Sequence, residues 1–203
     1  MKYAAVTERL AGLGGAKWEV HAKAKAMIAS GQDVLLLTIG EPDVPPPSAL
    51  LDTAKAAMDA GRYAYSNGRG EPALLTALSA RYTARRGRPI TTQQFMAFPG
   101  TQTALYGVLT GLVGTGDEVL VGDPMYATYE GVIMAPGAKV VPVPLRPEHG
   151  FRMQAADVEA RITPRSRVLM LNTPHNPTGA VLTAEDILAL GRVAKAYDLW
   201  ILC

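Results

Sequence analysis

The sequence predicts an α/β fold in which helices cover both faces of a mainly parallel sheet. Short apolar runs alternate along the chain with stretches long enough for helices, an order typical of parallel sheets. The apolar runs are continuous, as expected of strands that are buried on both faces. The chain has 203 residues, of which 48% are hydrophobic and 19% charged, so it can bury a core as one large domain or two small ones.

The N-terminal part of the chain predicts three helices and one strand. Each of these helices is expected to end at a glycine, a frequent residue at helix C-termini. Three consecutive prolines at 45–47 mark a junction between an N-terminal arm and the main α/β body. The predicted elements are a helix over 16–31, a strand over 33–40, and helices over 48–60 and 71–87.

The rest of the chain predicts strands and helices in alternation. The strands are short and rich in Val, Leu and Ile, and glycines or prolines separate them from the helices. The predicted strands cover 95–98, 117–122, 138–145, 167–172 and 199–203, and the helices between them cover 101–113, 126–137, 154–161 and 183–198.

Composition excludes several classes of protein. The formal charge of +2, with scattered Lys and Arg, provides no basic surface for nucleic acid. No apolar run approaches the roughly 20 residues needed to span a bilayer, and the N-terminus has no apolar signal core. The single cysteine, Cys203, cannot form an internal disulfide, so we expect a cytoplasmic protein. No paired-histidine spacing predicts a metal site.

Three unusual loops follow predicted strands, at 98–103, 121–126 and 171–179. Ligands of parallel sheets bind beyond the carboxyl ends of the strands, where such loops meet. The third loop, "LNTPHNPTG", contains two prolines, two asparagines and a histidine, far more than a simple turn requires. We therefore expect the three loops to form a site at one edge of the sheet.

The first two loops predict an anion site and an aromatic platform. Gly100, Thr101 and Gln102 open a helix, where free backbone N–H groups and the positive helix end attract anions. The alternative is that Thr101 simply caps the helix. Tyr126 begins the next helix at the same edge and would stack on a flat ligand, or else pack against its own domain.

In the third loop, the rigid backbone would present the Asn176 side-chain amide to a ligand oxygen. The alternative is an Asx-turn that caps the turn at Thr178 and Gly179. His175 is interpreted as structural, because no Asp or Cys partner can be assigned to it. An anion site, a stacking ring and a fixed amide together describe a site for a flat, phosphorylated ring.

Five motifs, in order, resemble the class I aminotransferases of fold type I, which use pyridoxal 5′-phosphate. They are "LTIGEPDVPPP", "YSNGRGEPAL", "PGTQTAL", "GDEVLVGDPMYATY" and "NTPHNPTGAVLT". The resemblance covers essentially the whole chain. Within the family, "DPMYATYEGV", "VVPVPLRPEHGF" and "YDLWIL" look most like arginine–pyruvate transaminases and their aspartate-aminotransferase-like relatives.

The resemblance implies a fold and its domains. The fold would be the first part of a three-layer large domain of the fold type I transferases, with an N-terminal arm. Residues 1–46 would form the arm and the start of the small domain, and residues 47–203 an incomplete cofactor-binding large domain. The resemblance also implies cis peptide bonds at Asp123–Pro124 and Asn176–Pro177.

The resemblance also implies roles for individual residues. The cofactor phosphate would be held by Gly100, Thr101 and Gln102. Tyr126 would stack on the cofactor ring and Asn176 would bond its hydroxyl, both of them next to the substrate. Gly40 would offer its backbone N–H to the substrate carboxylate. Tyr65 would reach the phosphate of a neighbouring subunit, which implies a homodimer.

In the family, the Schiff-base lysine, the Asp that pairs with the cofactor nitrogen and a substrate-binding Arg follow the segment that matches "YDLWIL". No lysine of this sequence is predicted at the site, so we expect no catalytic residue before Cys203 and an inactive N-terminal half of a longer enzyme. The implied reaction transfers an amino group from an amino acid to a 2-oxo acid in ping-pong fashion. The alternatives are a non-catalytic module that binds a phosphorylated ligand and the effector domain of a transcription regulator.

Overall fold

The computed structural model describes residues 2–203, except for the side chains of residues 16 and 17. The helices are α1 (Ala5–Arg9), α2 (Gly15–Ala29), α3 (Ser48–Asp59), α4 (Pro72–Arg86), α5 (Thr101–Leu112), α6 (Tyr129–Met134), α7 (Ala155–Glu159) and α8 (Ala184–Ala196). The strands are β1 (Glu118–Asp123), β2 (Lys139–Pro144), β3 (Ser166–Met170) and β4 (Trp200–Leu202). Short 3₁₀ helices cover Thr92–Gln94 and Pro147–His149.

The four strands form one parallel sheet in the order β2-β1-β3-β4. β1 lies at its centre, and Val119 of this strand is in register with Val140 of β2 and Val168 of β3. The prediction of an α/β fold with a parallel sheet is confirmed.

Helices cover both faces of the sheet, which gives the expected three layers. On one face Leu120 and Leu169 pack into a buried cluster that includes Val158 of α7 and Leu190 of α8. Adjacent strand residues point to the opposite face. There, Val119, Val121 and Val168 pack with Leu109 of α5 and Ile133 of α6.

The predicted strand over 33–40 is wrong. This segment has no ladder partner among residues 2–203, and Leu35 and Leu37 are 82% and 84% exposed. An apolar run becomes a strand only when a neighbour pairs its backbone groups. The described part of the chain supplies no such neighbour here.

The predicted strand over 95–98 is also wrong, although the site loop that follows it is in place. Ala97 N–H donates to the carbonyl of Arg69 (2.9 Å), and the Arg69 guanidinium donates to the carbonyl of Phe95 (3.0 Å). A loop and a side chain thus satisfy backbone groups that a ladder would otherwise pair. Phe98 packs on α5 at Gly107, where an added Cβ would lie 3.0 Å from the ring.

Most helices lie where the sequence predicts them. α4 ends at Gly87, which has φ +63°, and α8 begins with a capping box between Thr183 and Asp186. The predicted helix over 126–137 is shortened to α6, and α1 was not predicted. No helix within residues 2–203 is long and apolar enough to cross a bilayer.

A buried carboxylate ties the start of β1 to β3. Glu118 accepts hydrogen bonds from the Thr163 hydroxyl and from Arg165 Nε and Nη2 (3.1 and 3.0 Å). The hydrogen bond from Thr163 lowers the pKa of Glu118, and Arg165 lowers it further against the opposing effect of burial. Since both donors immediately precede β3, this carboxylate helps to fix the pairing of the two central strands.

We predict that Glu118→Ala lowers the free energy of unfolding at pH 7 by about 1–2 kcal/mol, because it removes the hydrogen bonds that the buried carboxylate accepts from Thr163 and Arg165, while the exposed Arg165 side chain can turn to water. Urea unfolding measures the change, and Glu19→Ala, an exposed glutamate of α2, should stay within about 0.5 kcal/mol of the parent. The folded pKa of Glu118 is lowered, so its contribution is complete above the ordinary value near 4.5 and is lost as pH falls. Glu118→Gln should therefore lose less stability on acidification, and equal acid dependence in both proteins would contradict this assignment.

Candidate active site

The three loops singled out in the sequence line one cavity of ≈ 390 Å³. The loops after β1 and β3 meet there because the carboxyl ends of parallel strands share one edge of the sheet. The N-terminus of α5 completes the cavity. Its lining residues are Gly100, Thr101, Gln102, Leu105, Tyr126, Tyr129, Asn172 and Asn176.

The N-terminus of α5 has no side-chain cap. The N-cap residue is Gly100, with φ +89°, a backbone conformation that side chains disfavour. Its carbonyl receives the first helical bond from Ala104 N–H, so the N–H groups of residues 101–103 precede the helical ladder. The alternative in which Thr101 caps the helix is therefore wrong. The cavity contains a positive helix end with free donors, as an anion site requires.

The Gln102 side chain bonds another part of the protein and is not simply directed at a bound anion. Its amide nitrogen donates to Thr128 Oγ1, the N-cap residue of α6, and its Oε1 is buried without a partner among the described residues. Gln102 thus joins the α5 N-terminus to the loop that carries Tyr126. Its backbone N–H remains part of the helix N-terminus.

Tyr126 follows a cis peptide bond at Asp123–Pro124, as predicted. Its ring is 37% exposed and meets the ring of Tyr129 edge to face, with centroids 5.5 Å apart and planes at 62°. This packing orients the Tyr126 ring within the cavity wall without burying it. Burial raises the pKa of Tyr129 above its ordinary value.

Asn176 presents an unbonded amide at the cavity. Its peptide bond to Pro177 is cis, as predicted, and a further cis bond at Thr173–Pro174 was not predicted. The exposed Asn176 side chain makes no hydrogen bond to residues 2–203, so the alternative Asx-turn is not formed. The turn is closed instead by Gly179 N–H, which donates to the carbonyl of His175 (2.7 Å).

His175 and Asn172 hold the third loop in shape. His175 Nδ1 lies 2.7 Å from the Thr178 hydroxyl, and burial lowers the histidine pKa, in agreement with a structural role. In the amide orientation that satisfies both of its groups, Asn172 accepts from Asn176 N–H (3.0 Å) and donates to the carbonyl of Pro174 (3.2 Å). Sequence reasoning missed Asn172, although its position directly after a strand was a usable signal.

Two predicted site residues lie elsewhere. Tyr65 is fully exposed and lines a separate groove with Arg62, Ser66 and Glu71. Gly40 is exposed on the irregular segment after α2 and does not line the cavity.

No lysine side chain that the structure describes lines the cavity, and Lys17 has its side chain outside the described set. The described residues also contain no cluster of three or more His, Cys, Asp or Glu able to hold a metal ion.

Comparison of the sequence with known proteins identifies its family. The sequence model described as aminotransferase class I and II matches residues 32–203. The arginine–pyruvate transaminase of Pseudomonas aeruginosa is 44% identical over 202 residues, which are 100% of this chain and 51% of that protein.

Solved structures agree in fold. The aspartate aminotransferase of Thermus thermophilus with maleate has a TM-score of 0.90 at 32% identity, covering 99% of this chain and 52% of that one. The alanine aminotransferase of Pyrococcus furiosus has a TM-score of 0.91 at 26% identity, covering 98% and 51%. The chain spans about half the length of the relatives it matches. It belongs to the class I and II aminotransferase family.

Proposed function

We propose that this chain forms the cofactor-binding part of a pyridoxal 5′-phosphate-dependent aminotransferase. The reaction transfers an amino group from an amino acid to a 2-oxo acid in ping-pong fashion. The observation that carries the proposal is the cavity in which an uncapped helix N-terminus, the Tyr126 ring and the unbonded Asn176 amide converge. Its volume of ≈ 390 Å³ lies within the usual range for small-ligand sites, about 300–1,000 Å³.

The polar groups fit the cofactor by their chemistry. The N–H groups at the start of α5 and the Thr101 hydroxyl suit a phosphate, which carries negative charge to a positive helix end. Tyr126 supplies a flat face for the pyridine ring, and Asn176 supplies an amide donor for the ring hydroxyl. The bound cofactor would act as an electron sink for the substrate's reacting carbon.

The remaining assignments complete the proposal. Residues 1–46 would belong to the arm and small domain, and 47–203 to the large domain. Gly40, which lies outside the cavity, would donate its N–H to the substrate carboxylate once that segment is covered by the rest of the enzyme. The names of the relatives make arginine and aspartate the first amino donors to assay. A cytoplasmic location fits the single cysteine.

Asn176→Ala in the full-length protein should lower kcat about 10- to 100-fold, the loss expected for a hydrogen bond to a charged group. Cofactor affinity should fall less than about 10-fold, because the α5 N-terminus still binds the phosphate. Steady-state kinetics and cofactor titration measure the two effects. Gln32→Ala, which removes an exposed amide after α2, is the control and should change neither quantity.

The Schiff-base lysine would come from the part of the enzyme that lies outside residues 1–203. Borohydride treatment of the 203-residue chain mixed with pyridoxal phosphate should therefore label none of its seven lysines stoichiometrically, as peptide mapping would show. The full-length protein should be labelled once, at a lysine outside this segment. Stoichiometric labelling within residues 1–203 would refute the lysine assignment. A full-length protein that binds the cofactor without any labelled lysine would favour the non-catalytic binding module.

Tyr65 would serve the active site of a neighbouring subunit in a homodimer. Its complete exposure and its place outside the lining of its own subunit's cavity support this assignment, as do the exposed apolar residues Leu50 and Met58 on α3. Coexpressed subunits carrying Tyr65→Ala or Asn176→Ala should regain about a quarter of the parent activity, because each mixed dimer contains one site free of both changes. If Tyr65 served its own subunit, mixing would restore nothing.

A further inference from the structure

We propose that Arg9 is a positioning residue that docks the start of the N-terminal arm (residues 2–18) onto α6 and so fixes Trp18 as a wall beside the active site. Arg9 Nε donates to the carbonyl of Met134 (3.1 Å), and its Nη2 donates to the carbonyl of Ala135 (2.9 Å). These contacts join residues 125 and 126 positions apart in the sequence.

The electrostatics of this contact are favourable. Met134 is the last residue of α6 and Ala135 its C-cap, so their carbonyls lie at the negative end of the helix. The Met134 carbonyl also accepts from Gly137 N–H (3.0 Å), so Arg9 supplies its second hydrogen bond. A guanidinium presents several donors in a fixed, planar arrangement, which suits two neighbouring carbonyls better than a lysine ammonium does. Arg9 is half-buried in this contact.

A short, hydrogen-bonded turn connects Arg9 to Trp18. Arg9 ends α1, and α2 begins at Gly15 after Gly14, which takes φ +78°. Trp18 lies in the first turn of α2, where its N–H donates to the carbonyl of Gly14 (3.3 Å). Between them, turn hydrogen bonds join Ala11 N–H to the carbonyl of Glu8 and Leu13 N–H to the carbonyl of Leu10 (both 3.2 Å), so the position of Arg9 affects that of Trp18.

The docked arm lines one side of a second, open cavity of ≈ 590 Å³ against α5 and α6. Leu10, Leu13 and Trp18 line it from the arm, and Tyr106 and Val132 line it from the two helices. Gln102 lines both this cavity and the candidate active site, so the two are neighbours. A shift of the arm would move a wall next to the site and leave the phosphate-binding helix end unchanged.

The functional part of this inference rests on the proposed aminotransferase activity. The test uses the full-length holoenzyme. The variants are Arg9→Ala, Arg9→Lys and Gly14→Ala, with Arg192→Ala, an exposed arginine of α8, as the control. L-Arginine and L-aspartate are the amino donors assayed.

Arg9→Ala should raise KM for the better donor at least about 5-fold, with kcat within about twofold and cofactor affinity unchanged. The reason is that the start of the arm moves while the N-terminus of α5, which would bind the phosphate, stays in place. Chymotryptic cleavage near Leu13 and Trp18 should accelerate at least about 10-fold, because the arm opens more often. Arg9→Lys should give intermediate values. Gly14→Ala should reproduce the KM effect with Arg9 still present, because its strained φ displaces Trp18.

Each outcome decides one claim. If cleavage is as slow in Arg9→Ala as in the control, Arg9 does not dock the arm. If cleavage accelerates but KM does not move, Arg9 is only structural and the positioning role is refuted. If neither the parent nor any variant transaminates either donor, the proposed function is refuted. The rate of chymotryptic cleavage then tests by itself whether Arg9 docks the arm on α6.

Discussion

The parallel pairing of β1 with β3 is the constraint on which the site depends. Because both strands run in the same direction, the loops that follow them emerge at one edge of the sheet. Tyr126 follows the first strand and Asn172 and Asn176 follow the second, so this pairing alone brings them to one cavity. The buried Glu118 secures the opposite end of the pair through donors that lie just before β3.

The edge of the sheet differs from the interior in how completely its polar groups are satisfied. Inside, Glu118 has several partners, and its pKa is lowered accordingly. At the edge, the α5 N-terminus lacks a cap and the Asn176 amide lacks a partner in the described chain. A polar group without a hydrogen-bond partner costs free energy unless solvent or a ligand satisfies it. Because these groups are exposed at the edge of the sheet, they are available to a ligand.

The third loop combines rigidity with open chemistry. Three side chains form hydrogen bonds within the loop itself, those of Asn172, His175 and Thr178. Asn176 is the exception, because its backbone is held by Asn172 while its side chain is left open. This division answers why the loop is so rich in polar and rigid residues: most of them hold one amide in place. The Gln102–Thr128 contact similarly links two parts of the cavity wall.

The sequence by itself determined the α/β class, the alternation of helices and strands that gives a parallel sheet, the main helix boundaries, and the loops that carry the cavity residues. These features follow from local patterns, because continuous apolar runs, glycine stops and capping residues act over a few positions. Only the tertiary structure decided that residues 33–40 and 95–98 are not strands, because a strand forms only where a neighbouring strand pairs its backbone N–H and C=O groups. Tertiary packing also decided that Thr101 does not cap α5, that Asn172 supports Asn176, and that Arg9 reaches α6. Those contacts join residues far apart in the chain or depend on exact backbone direction, and neither is encoded in a short stretch of sequence.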